Sequence, residues 1–111
     1  MRTSGKGEGP VIFAEAYRLL LELYPAVRRI PRSQQAVLGR RMEDAALALL
    51  TGILEANAEA AKGQRLRALS VELEKLRVLA RLAKDLSFLS FGQYEVLVGR
   101  VDAIGRMLGG W

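Results

Sequence analysis

The stretch "LRALSVELEKLRVLARLAKDL", residues 66–86, decides the fold because its apolar residues recur at alternating steps of three and four. This spacing places them on one side of a helix and is typical of the seam between packed helices. The pattern predicts a helix over residues 64–86. Its predicted buried stripe consists of Leu66, Leu69, Leu73, Leu76, Ala80 and Ala83.

A helix is also predicted over residues 11–27, where apolar and aromatic side chains follow the same spacing. Pro25 and Pro31 predict that this helix kinks or ends between them, because proline cannot donate the backbone hydrogen bond that a helix interior requires. The predicted stripe consists of Phe13, Tyr17, Leu20, Tyr24 and Val27.

The segment 33–61 is predicted to be a longer helix, with Ser33 as its N-cap and Gly63 as the residue that breaks the pattern. One predicted stripe consists of Leu38, Met42, Ala45, Leu49 and Ile53. The residues 45–54 are nevertheless apolar nearly all round, which indicates that this helix buries two sides. We therefore expect self-association, with Leu47, Leu50 and Leu54 in the interface between copies.

The last predicted helix begins at Ser90, which forms a capping-box pattern with Gln93. Its predicted inward residues are Tyr94, Leu97, Val101, Ile104 and Leu108, and Gly109 and Gly110 are predicted to end it. The connections between the four segments are short, so consecutive helices are expected to be antiparallel neighbours. The sequence therefore predicts an all-α, up-down four-helix bundle over residues 11–111, preceded by a flexible tail over residues 1–10.

The composition argues against enzymatic chemistry. The 111-residue chain contains no cysteine and no histidine. It therefore lacks thiolate nucleophiles, thiolate ligands for metals, the usual proton shuttle at neutral pH and the commonest metal ligand. We expect no catalytic residue, no metal and no cofactor. The N-terminus lacks the apolar core of a signal peptide, and no apolar run is long enough to span a membrane, so we expect a cytoplasmic protein.

The chain is basic, with seventeen Lys and Arg against twelve Asp and Glu and a net charge of +5. All but four of the basic residues are arginine, which favours planar, bidentate partners such as phosphate or carboxylate. Four basic residues lie on one broad side of the predicted third helix, away from its seam. This side is either a phosphate-binding surface or an ordinary solvated face, and the helix pattern favours neither. The four residues are Arg67, Arg77, Arg81 and Lys84.

A second basic stretch is "RRIPRSQQAVLGRR", residues 28–41, which contains five arginines and no carboxylate. The helix dipole accounts for Arg28 and Arg29 at the end of one helix, but it disfavours Arg32 at the start of the next. The stretch therefore favours contact with a polyanion over a purely structural role for Arg28, Arg29, Arg32, Arg40 and Arg41. Most of the seven aromatic residues fit the core, so we expect sequence-tolerant phosphate binding rather than base-specific recognition.

Four stretches together resemble the accessory variability determinant (Avd) proteins of diversity-generating retroelements. They are "PRSQQAVLGRRMEDAAL" at 31–47, "LEKLRVLARLAKDLSFLS" at 73–90, "YEVL" at 94–97 and "IGRMLGGW" at 104–111. The similarity covers about residues 13–111 and keeps the order and spacing of these stretches.

The resemblance implies a four-helix bundle that assembles into a homopentameric barrel. It also implies a non-catalytic partner of the element's reverse transcriptase that binds RNA or DNA and supports mutagenic retrohoming. Arg77, Arg81 and Lys84 are carried over as contacts from the third-helix pattern, and Arg32, Arg40 and Arg41 follow from "PRSQ". Two alternatives remain. One is the four-helix-bundle family encoded in intervening sequences of ribosomal RNA genes, and the other is a protein-interaction scaffold without nucleic-acid contact.

Overall fold

The computed structural model describes residues 9–58 and 63–111, and these ranges contain helices and no strand. The second of the four helices joins three consecutive stretches, the middle one a π-helical turn. In chain order the helices are Gly9–Arg28, then Arg32–Gln34 with Gln35–Gly39 and Arg40–Asn57, then Gly63–Asp85, and finally Phe91–Gly110. The all-α prediction is confirmed. The predicted end of the second helix at Ala61 and most of the predicted tail lie outside the described residues.

Each helix packs against two neighbours in a closed circuit, the first against the second and fourth, and the third against the second and fourth. Consecutive helices run antiparallel because the segments between them are short. One end of the bundle therefore carries the end of the first helix, the start of the second, the end of the third and the start of the fourth. This is the predicted up-down order.

The predicted stripes of three helices form the core. On the second helix all five predicted residues are buried. On the third and fourth helices only Leu66 and Tyr94 of the predicted residues are partly exposed. The periodicity therefore located the buried side of these helices, since apolar residues at steps of three and four share one face.

The predicted stripe of the first helix is wrong by one residue. Tyr17 is 51% exposed, and of the five predicted residues only Leu20 and Val27 are buried. The buried stripe precedes the predicted one by a single position and has the same spacing, so spacing alone did not distinguish them. Alanines in the true stripe leave room for the neighbouring helices to approach, whereas bulky rings would hold them apart. The true stripe and its extension past the helix end are Ile12, Ala16, Leu19, Leu23, Ala26 and Ile30.

The junction between the first two helices is held by Gln35 and Gly39. The side-chain Nε2 of Gln35 donates hydrogen bonds to the carbonyl oxygens of Arg28 at 3.1 Å and Ile30 at 2.7 Å. A Cβ on Gly39 would lie 2.7 Å from Cγ1 of Val27, so only glycine permits this approach. The N-cap position belongs to Pro31, and the prediction of Ser33 as N-cap is wrong because Ser33 lies within the helix.

The junction between the last two helices follows two standard capping motifs. Ser87 has φ of 65°, and the amides of Ser87 and Phe88 donate to the carbonyl oxygens of Lys84 and Ala83, which is the Schellman pattern. The predicted capping box is confirmed, because Ser90 Oγ accepts from the Gln93 amide and Gln93 Oε1 accepts from the Ser90 amide. At the other end of the fourth helix, Trp111 packs partly buried against the core.

Candidate nucleic-acid and partner interface

The antiparallel order of the helices brings most of the predicted contact residues to one end of the bundle. Arg81 and Lys84 lie in the last turns of the third helix, at the same end as residues 28–41. Arg67 lies near the start of the third helix, at the opposite end, and Arg77 lies between. We call the shared end the basic end and define it by Arg28, Arg29, Arg32, Arg40, Arg41, Arg81 and Lys84.

Three arginines of the basic end line one cleft of about 360 Å³ at the junction of the first two helices. Arg28 and Arg32 are exposed, and neither makes an ion pair within the described part of the chain. Arg40 pairs with Asp44 through Nε at 3.6 Å, with both side chains largely exposed. Among the residues that the structure describes, Glu43 is the one carboxylate that lines the cleft. The cleft therefore carries an excess of positive charge.

Arg29 and Arg41 flank this cleft on other faces of the bundle. Arg29 lines shallow grooves beside Leu21 and Pro25, and Arg41 lines a groove between the second and third helices with Val78. Both guanidinium groups are without an ion-pair partner among residues 9–58 and 63–111. Their charge is thus available to a ligand that extends beyond the cleft.

Carboxylates neutralise more of the positive charge on the third helix than the sequence predicted. Arg77 donates 2.6 Å hydrogen bonds to Glu74 on its own helix and to Asp102 on the fourth helix. The hydrogen bond to Asp102 raises the pKa of Arg77 above its ordinary value, although burial acts in the opposite direction. Arg77 thus links two helices and has less uncompensated charge than the arginines of the cleft.

Arg81 and Lys84 share the carboxylate of Asp85, at 3.9 Å and 3.2 Å respectively. The Lys84 ammonium also lies 4.6 Å from the centre of the Tyr94 ring, a cation–π arrangement. Arg67 makes no ion pair with any described carboxylate. The four residues predicted together on the third helix therefore do not form one surface. Arg67 lies at the opposite end from Arg81 and Lys84, and it alone of the four makes no ion pair with a described carboxylate.

Arg100 is a charged residue that the sequence analysis did not single out. It donates to both carboxylate oxygens of Glu22, at 2.9 Å and 3.2 Å, and to Glu15 at 3.1 Å, which joins the fourth helix to the first. The hydrogen bond with Glu22 raises the pKa of Arg100, while burial lowers it. Its partners lie 78 and 85 residues away, so no local pattern pointed to this cluster.

An apolar groove of about 640 Å³ lies between the first and second helices, with Arg28 and Arg29 at one end. Two of the predicted interface residues, Leu47 and Leu50, line it, and Leu47 and Leu54 are 39% and 55% exposed. Tyr17 and Tyr24, which were expected to be core residues, line it as well. These side chains leave apolar surface uncovered in the single chain.

Within residues 9–58 and 63–111, no group of three His, Cys, Asp or Glu side chains is placed to hold a metal ion. No described helix is sufficiently long and apolar to cross a membrane.

Fold and charge together define a small antiparallel four-helix bundle with unpaired arginines concentrated at one end. The chain belongs to the bAvd-like family, whose model matches residues 11–111. The resemblance to Avd proteins is thereby confirmed. No curated protein and no solved structure matches the chain.

Proposed function

We propose that this protein is a non-catalytic accessory protein of a diversity-generating retroelement. In this role it binds the element's reverse transcriptase and a nucleic acid, template RNA or cDNA, in the cytoplasm and supports mutagenic retrohoming. Membership of the bAvd-like family supports the retroelement context. The observation that carries the nucleic-acid part is the basic end, where Arg28, Arg29, Arg32 and Arg41 have no ion-pair partner in the described ranges.

Binding through the basic end would be electrostatic and tolerant of sequence. Guanidinium groups bind phosphate oxygens with bidentate geometry, and such contacts position a nucleic acid without reading its bases. We further propose that copies assemble side by side through Leu47, Leu50 and Leu54, as a pentamer. Five copies would combine a charge of +5 each into about +25, which attracts a polyanion strongly at low salt.

The salt dependence of RNA binding tests the electrostatic mechanism. Four phosphate contacts on a single strand predict a slope of about −3 in a plot of log affinity against log salt concentration. The affinity would be measured for a single-stranded RNA at several salt concentrations, with the wild-type protein. A flat response would exclude phosphate binding by the basic end.

A protein scaffold without nucleic-acid contact is the second candidate, and the apolar groove beside Arg28 and Arg29 favours it. In that case the arginines of the basic end meet carboxylates on the polymerase. Arg32→Glu and Arg41→Glu discriminate between the two, because a scaffold loses the polymerase while any RNA affinity stays unchanged. The readouts are co-purification with the cognate reverse transcriptase and RNA binding of the isolated protein.

A further inference from the structure

The cleft between the first and second helices differs from the rest of the basic end in shape. Its walls come from the end of the first helix and from the first turns of the second, which include the π-helical stretch, and the hydrogen bonds of Gln35 join the two. Buried Ile30 and Leu38 anchor the two sides to the core. Arg28, Arg32 and Arg40 therefore start from a rigid frame, which lowers the entropic cost of converging on one ligand.

The lining of the cleft selects the chemistry of that ligand. Among the described residues, the three guanidinium groups face one lining carboxylate, Glu43, and only Arg40 has an ion-pair partner, the exposed Asp44. This excess of positive charge favours an anion with several oxygens that accept hydrogen bonds. No aromatic side chain lines the cleft, so it offers no stacking surface for a nucleobase. Its volume of about 360 Å³ is at the lower end of the range for small-molecule sites. A phosphate group fits these properties.

We propose that Arg28, Arg32 and Arg40 form a discrete binding site for one phosphate group of a nucleic acid. The inference rests on the proposed function and specifies the chemical group that one part of the basic end binds. The phosphate is either a terminal monoester or an internal diester of the strand. Arg29 and Arg41, on neighbouring faces, contact the strand on either side of it.

Direct phosphate binding tests the site independently of RNA. Inorganic phosphate and acetate would be titrated into the full chain, and binding followed by NMR shifts of the arginine side-chain N–H groups. Phosphate is expected to bind and acetate to bind much more weakly, because acetate offers only two oxygens and a single charge. Equal binding of both anions would instead indicate a site for protein carboxylates and would overturn the proposal.

Matched variants separate a built site from a general effect of charge. Arg32→Gln is expected to weaken phosphate binding about tenfold, since it removes one charge-assisted partner. Arg106→Gln makes the same change in net charge on the exposed surface of the fourth helix, roughly 22 Å along that helix from the basic end. It is expected to change binding by less than about twofold because salt screens charges at that distance. Equal losses would overturn the discrete site.

Two further variants test geometry and local charge. Arg32→Lys keeps the charge but loses the planar guanidinium group. It should weaken phosphate binding if the three arginines form a discrete site, and leave it unchanged if only the general positive charge attracts phosphate. Glu43→Gln removes the carboxylate of the cleft and is expected to strengthen phosphate binding several-fold. Unfolding curves check that each variant folds. The proposal is contradicted if Arg32→Lys binds phosphate as tightly as the wild type and Glu43→Gln binds it no more tightly.

RNA with a 5′-phosphate, compared with the same RNA with a 5′-hydroxyl, identifies the source of the phosphate. If the RNA with the 5′-phosphate binds more tightly, the site holds the phosphate at a strand end. If both RNAs bind equally and Arg32→Gln weakens the binding of both, the site holds a phosphate of the backbone. If RNA binds equally to Arg32→Gln and Arg106→Gln, the proposed function survives and the site is wrong. If phosphate binds and neither RNA nor single-stranded DNA does, the three arginines form an anion site, and both the nucleic-acid part of the proposed function and the assignment of the phosphate to a nucleic acid are wrong.

Discussion

Nη2 of Arg77 on the third helix donates a 2.6 Å hydrogen bond to Oδ1 of Asp102 on the fourth helix. The same guanidinium group also contacts Glu74, so two carboxylates compensate its charge. That Arg77 contacts nucleic acid stays a prediction, and Arg28 and Arg32 at the basic end, which have no ion-pair partner among the described residues, carry more uncompensated charge. In the single chain Arg77 joins the third helix to the fourth.

Arg77→Gln is expected to lower the free energy of unfolding by about 1 kcal/mol. This loss of stability is small for an arginine with two ion-pair partners, because the Arg77 side chain is 34% exposed and solvent screens both ion pairs. The measurement is the urea midpoint, combined with Asp102→Asn in a double-mutant cycle that should give a coupling of about 0.5 kcal/mol or more. The raised pKa of Arg77 means that this contribution is lost only above the ordinary arginine pKa, so it persists throughout the neutral range.

Arg81→Gln is the matched control for this substitution. Arg81 has a single contact with Asp85 at 3.9 Å, and both side chains are largely exposed, so the change should stay within about 0.5 kcal/mol of zero. RNA binding should show the opposite order, with a larger loss for Arg81→Gln. Equal destabilisation by the two variants would show that the Asp102 contact contributes nothing.

Ser87→Gly is expected to stabilise the protein by about 0.5 to 1 kcal/mol. Ser87 adopts φ of 65° at the end of the third helix, a conformation that costs an L-residue more than glycine. Ser70→Gly is the control, because Ser70 is exposed within the same helix and glycine there lowers helix propensity. Thermal unfolding should therefore show opposite signs for one and the same substitution. A loss of stability in both variants would contradict the capping interpretation.

The sequence predicted the fold class and the buried faces of three helices because helix periodicity is a local property. On the first helix, Ala16 and Tyr17 belong to two adjacent stripes with equal spacing. The choice between them depends on how the helix is rotated against its two neighbours, and spacing contains no information about that rotation. The pattern therefore predicts Tyr17 in the core, whereas the structure shows it exposed.

The sequence predicted which residues share an end of the bundle, but not their ion-pair partners. The antiparallel order of the helices follows from short connections, and it places Arg81 at the end that carries Arg28 and Arg32. The partners of Arg77 and Arg100 depend on which carboxylates the packed helices bring within hydrogen-bond distance. The partners on other helices lie 25 to 85 residues away, so no sequence pattern identified them, whereas Glu74, the other partner of Arg77, is only three residues from it.

Gly52→Ala is expected to destabilise the bundle although alanine is the better helix former. A Cβ at this position would collide with Cδ2 of Leu69 on the third helix, and overpacking of this kind costs about 1 to 3 kcal/mol. Leu69 is buried and its side chain has little room to move aside, so the cost is expected near the upper end of this range and above the gain of about 1 kcal/mol in helix propensity. Urea unfolding gives the net effect.

Two companion variants make the Gly52→Ala result interpretable. At Gly99 on the fourth helix, a new Cβ would meet no described atom within 4 Å apart from its chain neighbours and its own helix backbone, so Gly99→Ala should stabilise by about 0.5 to 1 kcal/mol. Leu69→Ala is destabilising by itself. The double variant with Gly52→Ala and Leu69→Ala should lose less stability than the sum of the losses in the two single variants. Strict additivity of the two changes would mean that the helices do not meet at Gly52.

Leu47→Asp together with Leu54→Asp is expected to convert an assembled protein into single chains. Both leucines are substantially exposed on the apolar face of the second helix, so a carboxylate there is solvated in the monomer and desolvated in an interface between copies. Light scattering coupled to size exclusion gives the mass, about 61 kDa for five copies of a 12.2 kDa chain and 12.2 kDa for one. Leu86→Asp, at an equally exposed position beyond the third helix, should leave the mass unchanged. A wild-type protein that is already monomeric would exclude self-association, and a double variant that stays assembled would place the interface on another face.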